Sequence, residues 1–143
     1  MREVLSFQTP QEAAEAWANR YQNVDAHIEY GAVLFRAKDG SYRFGVTRKG
    51  SKGNGKRIRA NVVFPLILGL LFDWCGRGRA VGLLHTHPMT PSGGVSQHFS
   101  QEDQHLTDGT YGLHFAYVYM IPYGGTVRNM RCFQKGEPMH PNA

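Results

Sequence analysis

The chain has 143 residues, of which 41% are hydrophobic and 19% charged, and a formal net charge of +5. That length suits one domain with a core of its own, and the balance of apolar and charged residues excludes wholesale disorder. No cationic stretch leads into an apolar run at the start, so no cleaved signal peptide is expected, and the most apolar run, Val62 to Phe72, is about half the ~20 residues a membrane span needs.

In chain order, "TPQEAAEAWANRYQN" predicts a helix, with Thr9 as N-cap, Pro10 at the first helical position and Glu12 completing a capping box. "HIEYGAVLFRAKDGSYRFGVTR" predicts a hairpin, two β-rich runs joined through Lys38-Asp39-Gly40-Ser41. From Arg36 to Arg59 there are nine basic residues against one acid, Asp39. The stretch from Arg48 to Arg59 interleaves cations with Gly, Ser and Asn, the composition of a solvated loop. It is also the one surface expected to attract an acidic partner or a nucleic acid, although no aromatic residues stand among the cations to stack on bases. Val62 to Cys75 reads as an apolar helix with Pro65 in its first turn and Gly76 as its stop.

Further on, "AVGLLHTH" reads as a short buried strand and "SQEDQHLTDG" as a short helix ending at Gly109. "GLHFAYVYMIP" and "GTVRNMRCF" form a last strand pair around "YGG", and a loose tail follows from about residue 134. No internal repeat and no long linker divide residues 1–143. The expectation is an α/β or α+β single domain, a central sheet flanked by helices. Cys75 and Cys132 are far apart and form no CxxC pair, which makes a reducing compartment the default: cytoplasmic, or reached by secretion that needs no signal.

The chemistry concentrates in "HTHPMTPSGGVSQHFSQED". His85 and His87 stand two apart at a strand end, and alternation turns residues i and i+2 to one face, so both imidazoles can address one ion. Pro88 ends the strand without orphaning a ladder donor. Asp103, sixteen residues after His87 and near the start of the next helix, supplies a carboxylate. Two nitrogens, one oxygen and an open fourth position describe a catalytic rather than a structural zinc site, one Zn2+ per chain. A blander reading stands beside it, in which Ser100-Gln101-Glu102-Asp103 is only a helix-capping box and the histidines are polar loop residues.

At these residues the chain resembles the JAMM signature, HxHP followed by SxxD, of the MPN (JAB/Mov34-like) zinc metalloproteases. "HTHP" and "SQED" carry the match, and "IEYGAVLF" offers the glutamate that precedes it in the family. The resemblance spans Glu29 to about Ile121, and the compact frame is most similar to bacterial JAB-like domains, among them toxin, effector and phage-tail peptidase modules. It implies an MPN-like fold with a mixed or antiparallel sheet. It gives zinc to His85, His87 and Asp103, oxyanion stabilisation to Ser100 and the general-base role to Glu29. The implied activity is hydrolysis of an amide or isopeptide bond in a peptide or ubiquitin-like protein.

Two departures from the family pattern stand out. Eleven residues separate Pro88 from Ser100, a longer gap than in the eukaryotic deubiquitinases, and the insert brings in His98 as a further nitrogen donor. Gly31 follows Glu29 by two rather than three, which leaves Glu102 as the alternative base, although on a helix it points about 100° away from its neighbour Asp103. The serine of "PSGG", Ser92, has no aspartate three residues on, unlike the RadC-like relatives that also use HxHP. Two other functions fit the same residues: a non-catalytic MPN-like module that docks an acidic partner through the Arg48–Arg59 loop, and zinc hydrolysis of a non-protein amide or phosphodiester. No membrane partner is expected, and the oligomeric state has no signature in the sequence.

Overall fold

In the computed structural model, which describes residues 6–49, 78–89, 99, 101–110 and 112–138, a six-stranded mixed sheet carries one helix on each face. The first helix, α1 (Pro10–Tyr21), starts as its sequence dictates. Thr9 Oγ1 accepts from the Glu12 amide at 3.1 Å, with Pro10 at the first position, where its missing N–H costs nothing. The Glu12 carboxylate reaches back to the amide of Gln8, one residue before the cap, at 3.3 Å. Ala13, Ala14, Trp17 and Ala18 form its buried stripe.

Strand β1 (Tyr30–Arg36) turns through Asp39 and Gly40 into β2 (Tyr42–Phe44), with Arg36 opposite Tyr42, as the hairpin expectation requires. Gly40 takes a positive φ of 84°, and Asp39 Oδ1 accepts from both the amide and the hydroxyl of Ser41. The second arm then breaks at Gly45 to Thr47 and resumes as β3 (Arg48–Lys49), which pairs with the beginning of β1. Arg48, where the hairpin and the basic loop expected from the sequence overlap, is therefore part of the sheet, and so is Lys49, expected in the loop. The remainder of that loop and the apolar segment Val62 to Cys75 lie outside the described residues, as does the membrane question for that segment. Among the described residues no helix is long and apolar enough to cross a membrane.

Strand β4 (Arg79–His87) is central: antiparallel to β1 on one side and parallel to β5 (Tyr117–Pro122) on the other. From Val81 onward every residue is buried, the pattern of a strand covered on both faces. Gly82 allows this close seating, since a Cβ there would lie 2.8 Å from the Tyr117 carbonyl oxygen and 3.2 Å from Leu34 Cδ2. Two parallel neighbours need a crossover, and α2 (Gln101–His105) lies on it. The expected helix was longer, but it closes early through Leu106 N–H to Asp103 O and Thr107 N–H to Gln104 O, i→i+3 bonds that tighten the last turn. Gly109 then reverses the chain at φ 86°.

The final pair, β5 with β6 (Arg131–Gln134), is antiparallel as expected, with two differences. Leu113 and Phe115 bond back to the turn after α2 rather than to a strand. Val127–Asn129 forms a 3-10 turn, because the Asn129 side-chain oxygen captures the Thr126 amide at 2.8 Å. The tail is tied further than expected: Lys135 donates to the Ala116 carbonyl and Glu137 accepts from the Gln134 amide.

Each face of the sheet has its own core. On the α1 face Trp17 and the helix alanines pack on Ala32, Leu34, Leu84, Tyr119 and Ile121. On the α2 face Phe99, Leu106 and Phe115 cover Val33, Phe35, Leu83, Val118, Met120 and Phe133. Among the described residues this is a mixed sheet with few helices, compatible with the α+β class.

Candidate metal centre

The C-terminal end of β4 carries His85 and His87 on the α2 face, in line with Leu83 of that face's core. His85 lies opposite Gly31 of β1 and beside Met120 of β5. The intervening Thr86 turns the other way, and its hydroxyl accepts the Tyr30 amide at 2.9 Å. That bond locks the pairing of β1 and β4 at the level of the histidines. Beyond His87 the strand stops at Pro88, and the chain stays anchored by Met89 N–H to Ala26 O at 2.6 Å and Tyr123 N–H to His87 O at 3.0 Å.

Asp103 comes from α2. Its position, about one turn from each of the covering Phe99 and Leu106, sets its side chain against the sheet with an exposure of only 3%. The three side chains converge: His85 Nε2 and His87 Nε2 are 3.1 Å apart, Asp103 Oδ1 is 3.1 Å from the first and Oδ2 is 3.2 Å from the second. Histidines 85 and 87 are 1% and 2% exposed, so the triangle is dry on the protein side.

Those distances test whether a metal ion fits. Ligand atoms about 2.0–2.1 Å from a tetrahedral ion stand about 3.3 Å from one another, close to the 3.1 Å between the two Nε2 atoms and to the 3.1–3.2 Å from each to its nearer carboxylate oxygen. In the Nδ1–H tautomer the two Nε2 atoms face each other with lone pairs, an arrangement that calls for a proton or a cation between them. The carboxylate supplies the balancing charge. Burial is the strongest influence on Asp103 and opposes its ionisation, yet its carboxyl is held well below the usual range, by His85 first and His87 second. His85, His87 and Asp103 thus form a buried group able to hold a metal ion. A helix cap alone does not account for a carboxylate with both oxygens turned on two imidazoles.

Glu29 is 1% exposed, immediately before β1. The pairing of Gly31 with His85 is antiparallel, so two residues outward Glu29 comes level with His87, and the Met89–Ala26 bond shows the two segments still running side by side there. Alternation assigns it to the face that carries both histidines. The structure thus brings His85, His87 and Asp103 together, and the strand register places Glu29 at the same end of β4. Ser100 and His98 lie outside the described residues, as does the side chain of Glu102.

The sequence gives no direct sign of several buried polar residues, among them Gln104. Gln104, fully buried next to Asp103, donates to the Phe99 carbonyl at 3.3 Å, and its own carbonyl accepts from the Thr107 hydroxyl at 2.9 Å. It braces the short helix that delivers the carboxylate. A polar residue inside a polar segment gives no signal of burial, so only the amphipathic contrast with Phe99 and Leu106 hinted at it.

Comparison of the chain with family models, curated proteins and solved structures returned no match.

Proposed function

We propose that the chain is a zinc-dependent metallopeptidase that hydrolyses an amide or isopeptide bond in a peptide or ubiquitin-like substrate, in the manner of bacterial JAB-like peptidase domains. The observation that carries this reading is the triangle of His85 Nε2, His87 Nε2 and Asp103, with edges of 3.1–3.2 Å, buried at the end of a central strand. Two imidazole nitrogens and one carboxylate are a donor set of hydrolytic rather than structural zinc sites. When bound, zinc would polarise the substrate carbonyl and activate water.

The chain's own residues supply the rest. His85 and His87 hold their positions because β4 is clamped between β1 and β5, so their geometry is fixed before substrate arrives. Asp103 brings the negative charge that makes a divalent ion acceptable in a buried place. Glu29 is a carboxylate level with His87, suited to take a proton from water and return it to the leaving amine. Ser100, three residues before Asp103, is the candidate donor to the developing oxyanion.

The test is hydrolysis of ubiquitin chains and of cell-wall peptides by the zinc-loaded protein. Cleavage of one class that a chelator abolishes and added zinc restores supports the reading. Loading with ferrous ion or cobalt in parallel asks whether zinc is the working metal. A stably metallated protein that cleaves no amide substrate would sink the peptidase assignment and leave the docking-module alternative in its place.

A further inference from the structure

The sheet gives Arg48, at the start of the basic stretch, a specific neighbour. It pairs with Gly31, and Gly31 pairs with His85, so the three residues form one row across β3, β1 and β4. Directly opposed residues in antiparallel strands share a face, so Arg48 lies on the face of the metal centre. A second contact fixes this independently. Thr47 Oγ1 accepts from Trp17 Nε1 at 2.9 Å, which commits Thr47 to the α1 face and its successor Arg48 to the opposite one.

Between the arginine and His85 stands a glycine, so no side chain fills the middle of the row. Adjacent strands are about 4.8 Å apart, which separates the Arg48 and His85 backbones by about 10 Å, within the combined reach of an extended arginine and the inward imidazole. Arg48 is half-buried, its Nε is fully buried, and that nitrogen has no hydrogen-bond partner. Among the described residues no carboxylate forms an ion pair with it. A guanidinium is a fork of donors suited to planar oxyanions, and burying one of its N–H groups without an acceptor is unfavourable.

We infer that Arg48 is a specificity residue that binds a carboxylate of the substrate, reached across the side-chain-free position Gly31, within about one residue of the bond cleaved at the metal centre. This rests on the metallopeptidase reading for the identity of the cleaved bond, but not for the anion site itself. The chemistry recognised is a peptide or isopeptide with a free carboxylate close to the scissile amide.

The experiment compares N-acetyl-Gly-Gly, with its free C-terminal carboxylate, against the same peptide as its C-terminal amide. Binding is followed by NMR titration of the full chain, both metal-free and zinc-loaded, in wild type, Arg48→Gln and Arg48→Lys. The expected result is at least about tenfold tighter binding of the acid than of the amide to wild type. The preference should fall to about twofold or less in Arg48→Gln and be partly retained in Arg48→Lys, which keeps the charge but not the fork. Inorganic phosphate, titrated in parallel, should compete with the acid and lose that ability in Arg48→Gln. Equal binding of acid and amide to the wild type would overturn the proposal, whether or not the protein cleaves peptides. A preference that persists unchanged in a folded Arg48→Gln would overturn the assignment to this residue. Failure of hydrolysis with the acid preference intact would instead count against the peptidase reading alone.

Discussion

The two faces of the sheet are built from the same strands and differ in what they bury. On the α1 face the described core is apolar and aromatic, helix alanines and Trp17 against Ala32, Leu34, Leu84 and Ile121, and the buried Thr86 hydroxyl is taken up by the Tyr30 amide. On the α2 face an apolar cluster of similar character gives way, at the end of β4, to two imidazoles, a carboxylate and the neighbouring Glu29, all nearly inaccessible to solvent. Burying such groups is unfavourable unless they are paired or bound to an ion. The difference teaches that the first face stabilises the sheet while the second uses that stability to hold polar atoms at ligand distance.

Substitutions can separate the two roles. The largest effect should come from His85→Ala or Asp103→Ala, which leave two ligands: metal affinity falls by more than about a hundredfold and hydrolysis drops to background. Metal titration and the peptide assay read both. If either variant binds zinc as the wild type does, the triangle is not the ligand set. Glu29→Gln comes next and cuts differently, keeping one metal per chain while lowering kcat by about a hundred- to ten-thousandfold. Loss of metal together with activity in that variant would recast Glu29 as a ligand.

On the opposite face, Trp17→Ala removes a fully buried ring and its bond to Thr47. It should cost about 3–5 kcal/mol in urea denaturation, with zinc binding per folded molecule unchanged. Thr9→Ala, which deletes the cap of α1, should cost only about 1 kcal/mol. A comparable loss of metal affinity from these two changes would mean that the faces are not separable.

Acid offers a further separation in the metal-free protein. Asp103 has a folded pKa below its unfolded value of about 3.9, so its contribution to stability is complete above that value. It is lost as pH falls below about 4 towards the depressed folded value. Asp103→Asn should flatten this part of the stability curve, measured by chemical denaturation across the acid range. An unchanged acid profile would show that the carboxylate is not held by the histidines. Cys132 serves as the contrast, since burial first of all raises its thiol to about 11, and alkylation at neutral pH should be slow.

The parts of this arrangement that sequence made legible are the local ones. An i, i+2 histidine pair at the end of an apolar run is visible because strand geometry repeats every two residues, and the two rings do meet at 3.1 Å. The cap of α1 and the turn at Gly40 were readable for the same reason, each being settled within four residues. Asp103 and Glu29 came from spacing and resemblance to a signature, and the fold puts them at the same end of β4. What was not legible depends on pairing between distant segments. Arg48 looks like any other loop cation until β3 is set beside β1, and the glycine that opens its path to His85 matters only through the register. The early end of α2 and the 3-10 turn at Asn129 were missed because side-chain and i→i+3 bonds competed with the simpler periodicity.

The central claim is that His85, His87 and Asp103 hold one metal ion, and X-ray absorption on zinc-loaded protein tests it most directly. The account predicts one zinc per chain with two imidazole nitrogens and light oxygen donors at about 2.0–2.1 Å, reduced to one imidazole in His87→Ala. A protein that retains no zinc at equimolar metal, or an edge with sulfur or a single imidazole in the wild type, would contradict it.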